Sequence, residues 1–216
     1  MIELIVKGML AYLLGSVVGS LLIGKFRGID IRTMGSGNAG ATNMLRTQGK
    51  AIALAVLVID FGKGWLATFA LAAWSPAGLA ADPALHEWCT SVCGLGVIVG
   101  HVYPLWYGFR GGKGVATFLG AVLGVSPMLA LVAVAVWVVV VVLCGYVSLG
   151  SMTAAAAVAA TIAAGSGTAH APLLLFGVLA ALLIVYTHRG NIARLRAGSE
   201  SRARRLWLLG ARQGRS

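Results

Sequence analysis

The chain has 216 residues, of which 59% are hydrophobic and only 11% are charged, and its mean hydropathy is +0.90. So much apolar surface exceeds what a water-soluble core can bury, so the composition excludes an ordinary soluble domain and indicates an integral membrane protein. The 17 Lys and Arg outnumber the six Asp and Glu, which gives a formal net charge of +11.

An apolar segment of ~20 residues is needed to cross the ~30 Å hydrocarbon layer as a helix. Six segments of about this length follow one another along the chain: residues 4–24, 51–73, 89–107, 127–145, 148–165 and 172–187. The predicted fold class is therefore an all-α integral membrane protein. The short apolar run Val115–Val125, closed by Ser126 and Pro127, is a candidate for one more short or half-inserted helix.

Basic residues predict which side of the membrane each connection faces. Fifteen of the 17 lie in three connections: five in residues 25–50, two at Arg110 and Lys113, and eight from Arg189 onward. By the positive-inside rule these three regions face the cytoplasm, whereas residues 74–88 and 165–171, which contain no Lys or Arg, face outward.

Positions 113 and 188 then lie on the same side, so an even number of crossings must separate them. Three predicted spans lie between these positions, and Val115–Val125 supplies the fourth crossing. The prediction is seven transmembrane helices with the N-terminus outside and the C-terminus cytoplasmic. They form a single domain over residues 1–216, with a basic tail from about residue 189. An alternative for the first segment is a cleaved signal peptide with Lys7 at its basic end, but no small-residue cleavage pattern follows it.

The first cytoplasmic connection contains the first motif, Gly35–Arg46, with the sequence GSGNAGATNMLR. Its opening matches the G-x-G-x-x-G pattern of dinucleotide-binding folds, but it follows a predicted membrane helix and not a strand, so the required βαβ context is missing. The triphosphate-binding pattern G-x-x-x-x-G-K-[ST] does not occur in the sequence. Glycines still let backbone N–H groups converge on an anion, and a following helix start adds a favourable dipole. The motif is therefore predicted to bind phosphate.

Two other predicted cytoplasmic segments combine glycine with cations. The second motif, Phe109–Thr117 (FRGGKGVAT), places Lys113 between glycines, where its compact ammonium can approach a phosphate. The third motif (HRGNIARLRAGSE) begins at His188 and places Asn191 and Arg194 at successive spacings of three, hence on one helix face. Three such clusters on one predicted membrane surface favour an anion site over glycines that only make turns and cations that only anchor headgroups.

Polar residues in the predicted spans have simpler interpretations. Asp60 and Lys63 lie at i and i+3, where ionisable groups are costly, and a structural ion pair that supports the site is preferred. His101 is placed in the middle or outer half of the third span, with a packing or hydrogen-bonding role. Ser148, at the cytoplasmic start of the sixth span, is by itself most simply a helix cap.

Two further features give no catalytic signal. The three cysteines, Cys89, Cys93 and Cys144, lack metal-ligand spacing, so apolar packing is expected and no metal site is predicted. The tail from Arg202 interleaves arginines with Leu206, Trp207 and Leu208. Such a segment could bind nucleic acid, but anionic lipid headgroups are the better partner and no nucleic acid is expected.

The three motifs resemble, in order and wording, those of the bacterial acyl-phosphate:glycerol-3-phosphate acyltransferases. The resemblance covers nearly the whole chain, although the tail beyond Glu200 carries no recognisable signature. It implies a seven-span enzyme of the bacterial inner membrane with its active site facing the cytoplasm. Such an enzyme moves a fatty acyl group from acyl phosphate to the 1-hydroxyl of sn-glycerol 3-phosphate, giving lysophosphatidic acid and phosphate in the first step of phospholipid synthesis. No cofactor is implied.

Carried over position by position, the resemblance also implies the site residues. The catalytic set is Ser36, Arg46, Lys113, Ser148, His188 and Asn191. The set that binds substrate phosphate is Gly35, Gly37, Asn38, Gly40, Thr42, Asn43, Gly111, Gly112, Gly114 and Arg194. The partners implied are glycerol 3-phosphate, acyl phosphate and membrane lipid.

The residues fit this chemistry. Both substrates carry phosphate, so several cations are needed to offset their repulsion. The cations available in the motifs are Arg46, Lys113, Arg194 and a protonated His188. Acyl phosphate already has a good leaving group, so the remaining demands are orientation, oxyanion stabilisation and removal of the hydroxyl proton. No H-x-x-x-x-D pair occurs, and only Asp30 and Glu200 could orient a histidine, so the hypothesis is that a substrate phosphate oxygen takes the proton.

Two other classes of protein are weighed against this one. An anion transporter would be expected to show pseudo-repeated halves with broken helices at mid-membrane, whereas the three motifs lie on one predicted face. A lipid phosphotransferase of the CDP-alcohol type would need a cluster of metal-binding aspartates, and the cytoplasmic connections contain only Asp30.

Overall fold

The structure is a computed structural model that describes residues 1–74, 82–166, 170–203 and 206–208. Regular secondary structure in these residues is helical throughout, so the predicted all-α class is confirmed for them. The α-helices in chain order are α1 (Ile2–Gly15), α2 (Gly19–Phe26), α3 (Ala41–Thr47), α4 (Lys50–Leu66), α5 (Pro83–Val102), α6 (Val115–Val125), α7 (Pro127–Cys144), α8 (Val147–Ser166), α9 (Ala171–Thr187) and α10 (Arg189–Arg196). A π-helical turn, Ala67–Leu71, extends α4.

Helices are found at all seven apolar segments, but not all are long enough to cross a membrane alone. Four are: α4 with its π turn, α5 with the turn that follows it, α7 and α8. The pairs α1–α2 and α9–α10 are bent by 46° and 58°, and each counts as a further span if the pair makes one crossing. Helix α6 has 11 residues, which is about 16 Å at 1.5 Å per residue and about half the hydrocarbon thickness. The structure thus supports four to six spans, and seven crossings with a defined orientation remain a prediction.

The third predicted span, 89–107, is displaced in the structure. Helix α5 begins earlier because Asp82 caps it, accepting a 3.0 Å hydrogen bond from the Ala84 N–H, and Pro83 occupies the first helical position. The helix ends at Val102, two residues before Pro104, which disfavours helical geometry in the residue before it. His101 consequently lies in the last turn of α5, nearer the C-terminal end of the candidate span Pro83–Tyr107 than its middle, and its placement in the outer half stays a prediction.

The described chain divides into two compact units, Met1–Pro127 and Met128–Ser216. In the first unit α1 packs along α5, and α4 packs along α6. In the second unit α8 packs along α9. The first and second motifs belong to the first unit, and the third motif belongs to the second, together with Ser148. The single domain over residues 1–216 stays a prediction.

Glycines allow the close helix packing of the first unit. A Cβ at Gly15 of α1 would collide with the backbone carbonyl of Val97 on α5. On the α4–α6 contact, a Cβ at Gly64 would collide with the Thr117 carbonyl and would lie 2.8 Å from the Ala121 nitrogen. Small residues at such contacts are typical of membrane helices, where backbone approach replaces the hydrophobic effect as the source of association.

The predicted ion pair in α4 is confirmed and closes the break between α1 and α2. Lys63 Nζ lies 3.1 Å from Asp60 Oδ1, and both side chains are almost fully buried. The ammonium donates to the carbonyls of Gly15 at 2.8 Å and Val17 at 2.7 Å, while the Gly19 N–H donates to Asp60 Oδ1 at 3.0 Å. Backbone groups freed by the break are therefore satisfied by the two charges, as a membrane interior requires.

Two glycines two residues apart in α4 provide a test of the close packing. Gly64→Ala is expected to destabilise the protein by about 1–3 kcal/mol, because the added methyl group overpacks the contact with α6. Gly62→Ala is the matched control, since a Cβ there meets nothing within 4 Å. That variant should be neutral or slightly stabilising, because alanine is the better helix former by up to about 1 kcal/mol. Thermal unfolding of the purified protein in detergent measures both, and equal melting temperatures would contradict the α4–α6 packing.

Candidate active site

The loop of the first motif is built around Asn43. This residue, 1% exposed, lies in α3 and directs its side chain back under the loop. Its Nδ2 donates to the carbonyls of Ile31, Met34 and Asn38 at 3.3, 2.9 and 3.1 Å, and its Oδ1 accepts from the Ser36 N–H at 3.0 Å. Asn43 therefore shapes the phosphate-binding candidate loop from within, through hydrogen bonds that are all made to that loop.

Glycines in this loop serve conformation and close packing. Gly35 and Gly37 have φ values of +56° and +70°, in the left-handed region that favours glycine. A Cβ at Gly35 would also collide with the Asn43 side chain. The N–H groups of Gly37 and Gly40 donate to carbonyls of the same loop, each at 3.0 Å. These two amides are therefore engaged within the loop. The sequence predicted that they would converge on an anion, and for these two amides that prediction is wrong.

Side chains are the donors that the first motif presents outward. Ser36 is exposed in the loop, and Asn38 is partly exposed two residues later. Thr42 and Arg46 are exposed on α3 at spacing i and i+4, so they share one helix face. Hydroxyl, amide and guanidinium groups at these positions are suited to phosphate oxygens.

The second motif packs directly on the first. After α5 ends, the chain returns so that the N–H groups of Gly111 and Gly112 donate to the carbonyls of Val102 and His101, at 3.0 and 3.2 Å. A Cβ at Gly112 would collide with the His101 ring and lie 2.5 Å from the Ala39 carbonyl. Two of the three motifs are thus brought together, and glycine is required where they meet.

Lys113 follows this contact and lies immediately before the start of α6. Gly114, with φ +81°, is the N-cap residue of α6 and turns the chain into the helix. A helix N-terminus carries a partial positive charge, and the Lys113 ammonium adds a full one. The combination favours binding of an anion at this end of α6.

Arg32 ties the two motifs together from outside both. Its guanidinium binds both carboxylate oxygens of Asp30, with Nε 2.9 Å from Oδ1 and Nη2 2.8 Å from Oδ2. Its Nη1 donates to the carbonyls of Tyr107 and Arg110 at 2.9 and 3.2 Å. The hydrogen bonds from Arg32 hold the pKa of Asp30 below its ordinary value of 3.8. Asp30 therefore orients an arginine and not a histidine, a role that no local sequence signal indicated.

In the second unit, Glu200 gathers three of the site residues. Its Oε1 accepts from Ser148 Oγ at 2.8 Å and from Asn191 Nδ2 at 2.6 Å, and its Oε2 accepts from Arg194 Nε at 2.7 Å. Ser148 lies in the first turn of α8, and the other two donors lie on α10, so the prediction that Asn191 and Arg194 share a helix face is confirmed. Sequence reasoning considered Glu200 only as a partner for a histidine and missed this role.

Glu200 is a carboxylate at neutral pH. Burial raises its pKa, but the hydrogen bonds from Asn191, Ser148 and Arg194 outweigh that effect and hold the pKa below the ordinary value of 4.5. Charge-assisted hydrogen bonds of this kind are stronger than neutral ones and fix the positions of their donors. The carboxylate thus orders the candidate site residues of the second unit.

His188 lies at the bend between α9 and α10 and is 3% exposed. Its Nδ1 is 2.8 Å from the carbonyl oxygen of Ile184, one turn earlier. A carbonyl only accepts, so Nδ1 carries the proton and Nε2 of the neutral ring is the acceptor. The backbone carbonyl of Ile184 therefore helps to orient the ring.

Comparison with known proteins decides the family. The glycerol-3-phosphate acyltransferase family model matches residues 5–198. This chain belongs to the glycerol-3-phosphate acyltransferase family. The motif resemblance is thereby confirmed, and as a family member the chain is an acyltransferase enzyme.

The relatives of this acyltransferase match it along most of their length. The glycerol-3-phosphate acyltransferase of Albidiferax ferrireducens is 43% identical over 202 residues, which cover 90% of this chain and 86% of the relative. That of Aquifex aeolicus is 40% identical over 193 residues, covering 89% and 95%. Two crystal structures of PlsY (YgiH), an integral membrane glycerol 3-phosphate acyltransferase, are similar to this chain at 38% identity. Their TM-scores are 0.81 for the glycerol 3-phosphate form and 0.79 for the lysophosphatidic acid form, covering 92% of this chain and 94% of theirs.

Replacing the Glu200 carboxylate tests its organising role. Glu200→Gln is expected to lower kcat/KM by about 10- to 100-fold. Hydrogen bonds to a charged group contribute about 1.5–3 kcal/mol, and the NH2 group of the glutamine would face a side chain that is itself a donor. Steady-state acyl transfer in detergent measures this loss. Ser199→Ala, which alters the exposed neighbouring residue, is the control and should keep wild-type activity.

The effect of Glu200→Gln on stability should depend on pH. Because the folded pKa of Glu200 is lowered, its contribution to stability is fully present above pH 4.5 and is lost as the pH falls through the lower folded value. The difference in melting temperature between wild type and Glu200→Gln should therefore shrink as the pH is lowered from about 6 to about 4. A difference that stays constant over that range would contradict the assignment.

Proposed function

We propose that this acyltransferase moves a fatty acyl group from acyl phosphate to the 1-hydroxyl of sn-glycerol 3-phosphate and releases lysophosphatidic acid and inorganic phosphate. The acceptor and product are supported by the relatives' names and by PlsY structures described as glycerol 3-phosphate and lysophosphatidic acid forms. The observation in this chain that carries the proposal is the contact of Gly112 with Ala39. It sets the loop that bears Lys113 against the loop that leads to Arg46.

Electrostatics decides how many cations the reaction needs. Two unit charges roughly 6 Å apart repel by about 3 kcal/mol at an effective dielectric constant of about 20, and each substrate carries nearly two charges. One cation therefore does not suffice. In the first unit, Arg46 and Lys113 are the cations proposed to bind substrate phosphate, and Ser36 and Asn38 donate to its oxygens. In the second unit, Arg194 is the proposed cation, and Asn191 and Ser148 are the proposed donors.

The chemical step is acyl transfer between two oxygens. The C1 hydroxyl oxygen of glycerol 3-phosphate attacks the acyl carbonyl carbon, a new C–O bond forms, and the bond from that carbon to the phosphate oxygen breaks. Lys113 and Arg46 stabilise the charge that develops on the carbonyl oxygen and the leaving phosphate. The hydroxyl proton passes to a substrate phosphate oxygen, since a phosphate group has a second pKa of about 6 and lies within reach.

His188 has a supporting role in this mechanism. Its Nε2 acceptor binds the hydroxyl group of a substrate and orients it for attack. The same nitrogen could take the proton instead, so the two assignments are separated by experiment below.

The proposed location is the bacterial inner membrane, with seven crossings and the three motifs on the cytoplasmic face. In this topology the bent pairs α1–α2 and α9–α10 each make one crossing, and α6, although short, makes the fourth crossing. Membrane lipid surrounds the chain, and the long-chain donor is drawn from it.

Lys113→Met and His188→Ala test the proposed roles. With both substrates saturating, Lys113→Met should lower turnover by about 100-fold or more, the effect of removing one oxyanion donor. His188→Ala should retain measurable turnover, because the proton goes to phosphate. Near-normal turnover of the lysine variant would refute its electrostatic role, and total loss in the histidine variant would favour a histidine base. Lys50→Met, at an exposed lysine that begins α4, is the control.

The assay itself separates the protein classes. Purified enzyme in detergent, given acyl phosphate and glycerol 3-phosphate in the presence of a chelator, is expected to release inorganic phosphate in step with lysophosphatidic acid. A transporter would release none, and a metal-dependent phosphotransferase would stop when the chelator is added.

Single-cysteine labelling tests the topology. The background is Cys144→Ser, in which the two remaining native cysteines, Cys89 and Cys93, are buried and serve as the unlabelled blank. An impermeant thiol reagent should reach cysteines introduced on the cytoplasmic side only in inverted vesicles, at Thr33→Cys, Arg110→Cys and Ser199→Cys. Cysteines on the outer side should react in intact spheroplasts, at Asp82→Cys and His170→Cys. Labelling of Thr33→Cys and Arg110→Cys from opposite faces would overturn the proposed site.

A further inference from the structure

Three ionisable side chains meet inside the first unit, next to the two glycine motifs. Asp60, Lys63 and His101 are 1%, 4% and 3% exposed. Lys63 Nζ lies 3.1 Å from Asp60 Oδ1 and 3.0 Å from His101 Nδ1. Closing the α1–α2 break accounts for Asp60 and Lys63, but it gives no reason for a histidine. Ionisable groups within membrane segments are rare, and by default they indicate a functional role.

The contact with Lys63 fixes which ring nitrogen of His101 carries the proton. An ammonium has donors only, so Nδ1 of His101 must accept, and the proton of the neutral ring resides on Nε2. Asp60 Oδ1 lies farther from Nδ1, at 3.4 Å; it forms an ion pair with the Lys63 ammonium at 3.1 Å and accepts a hydrogen bond from the Gly19 N–H. Asp60 therefore balances the charge of the lysine, and His101 is left as a neutral ring with a donor at Nε2.

The donor edge of the ring lies where the two motifs meet. A Cβ at Gly112 would collide with Nε2, and the Ala39 carbonyl lies beside the same point. Among the described residues, no hydrogen bond from Nε2 is found, and Nε2 is not one of the fully buried unpaired side-chain atoms, so part of its surface is open. An accessible donor of this kind is usually met by water or by a ligand.

We infer that His101 is a positioning residue for the acyl-transfer reaction. Its ring, held by Lys63, supports Gly112 so that Lys113 faces the first motif, and its Nε2–H donates to a substrate phosphate beside this contact. The inference rests on the proposed function, because the anion at this junction is a substrate phosphate.

Two amide substitutions separate the two ring nitrogens. The side-chain amide of His101→Gln reaches the position of Nε2, whereas that of His101→Asn reaches only the position of Nδ1. We expect the Gln variant to keep kcat/KM within about threefold of wild type. The Asn variant should raise the KM for one phosphate substrate by about tenfold, the size of one hydrogen bond to an anion. Its kcat and melting temperature should stay close to wild type.

The controls distinguish positioning from packing. His86→Asn and His86→Gln, at an exposed histidine in the first turn of the same helix α5, should leave both substrates unaffected. If His101 only packs, both His101 variants should show the same fall in kcat with KM unchanged, because the fraction of active enzyme is reduced, or neither variant should fold. Either result would overturn the inference. Wild-type behaviour of both variants, or rescue by Asn and not by Gln, would also overturn it. Failure of the proposed function is distinguishable, since the wild type would then show no acyl transfer.

Discussion

The close contact of Gly112 with the Ala39 carbonyl is the constraint on which the arrangement of the first unit's motifs depends. Two loops that come from different parts of the chain approach at backbone distance, and any side chain at that point would push them apart. The contact is held from three directions. The end of α5 accepts the N–H groups of Gly111 and Gly112, the Arg32 guanidinium bridges to the carbonyls of Tyr107 and Arg110, and the His101 ring lies beneath.

Most of the glycine N–H groups of these loops described above form hydrogen bonds within the protein itself. Gly37, Gly40, Gly111 and Gly112 all donate within the first unit. Under the proposed function, phosphate binding therefore falls to side chains with hydroxyl, amide, ammonium and guanidinium groups. In the second unit the donors are ordered by the carboxylate of Glu200. The candidate site residues are therefore held in position by close packing in the first unit and by charge-assisted hydrogen bonds in the second.

The few charges inside the apolar part of the chain are placed where the backbone is interrupted. Lys63 and Asp60 satisfy carbonyl and N–H groups at the α1–α2 break, and Lys7 donates to the Ala72 carbonyl at the end of the π turn while pairing with Glu3. A membrane offers no water for such groups, so buried ionisable side chains take its place. This accounts for ionisable residues that a packing argument alone would not require.

The sequence by itself determined the helices and the chemistry of the motifs, because hydropathy over ~20 residues and short glycine-and-cation patterns are local properties. It placed α6 at its observed bounds and anticipated the Asp60–Lys63 pair, since residues at i and i+3 meet on any helix. Tertiary structure alone decided which residues organise the site. Glu200 meets Ser148 across 52 residues of chain, and Arg32 meets the Tyr107 carbonyl across 75. His101 reached the motif junction because α5 is shifted from the hydrophobic run that predicted it. Such contacts depend on which helix faces turn toward each other, and no local pattern encodes that.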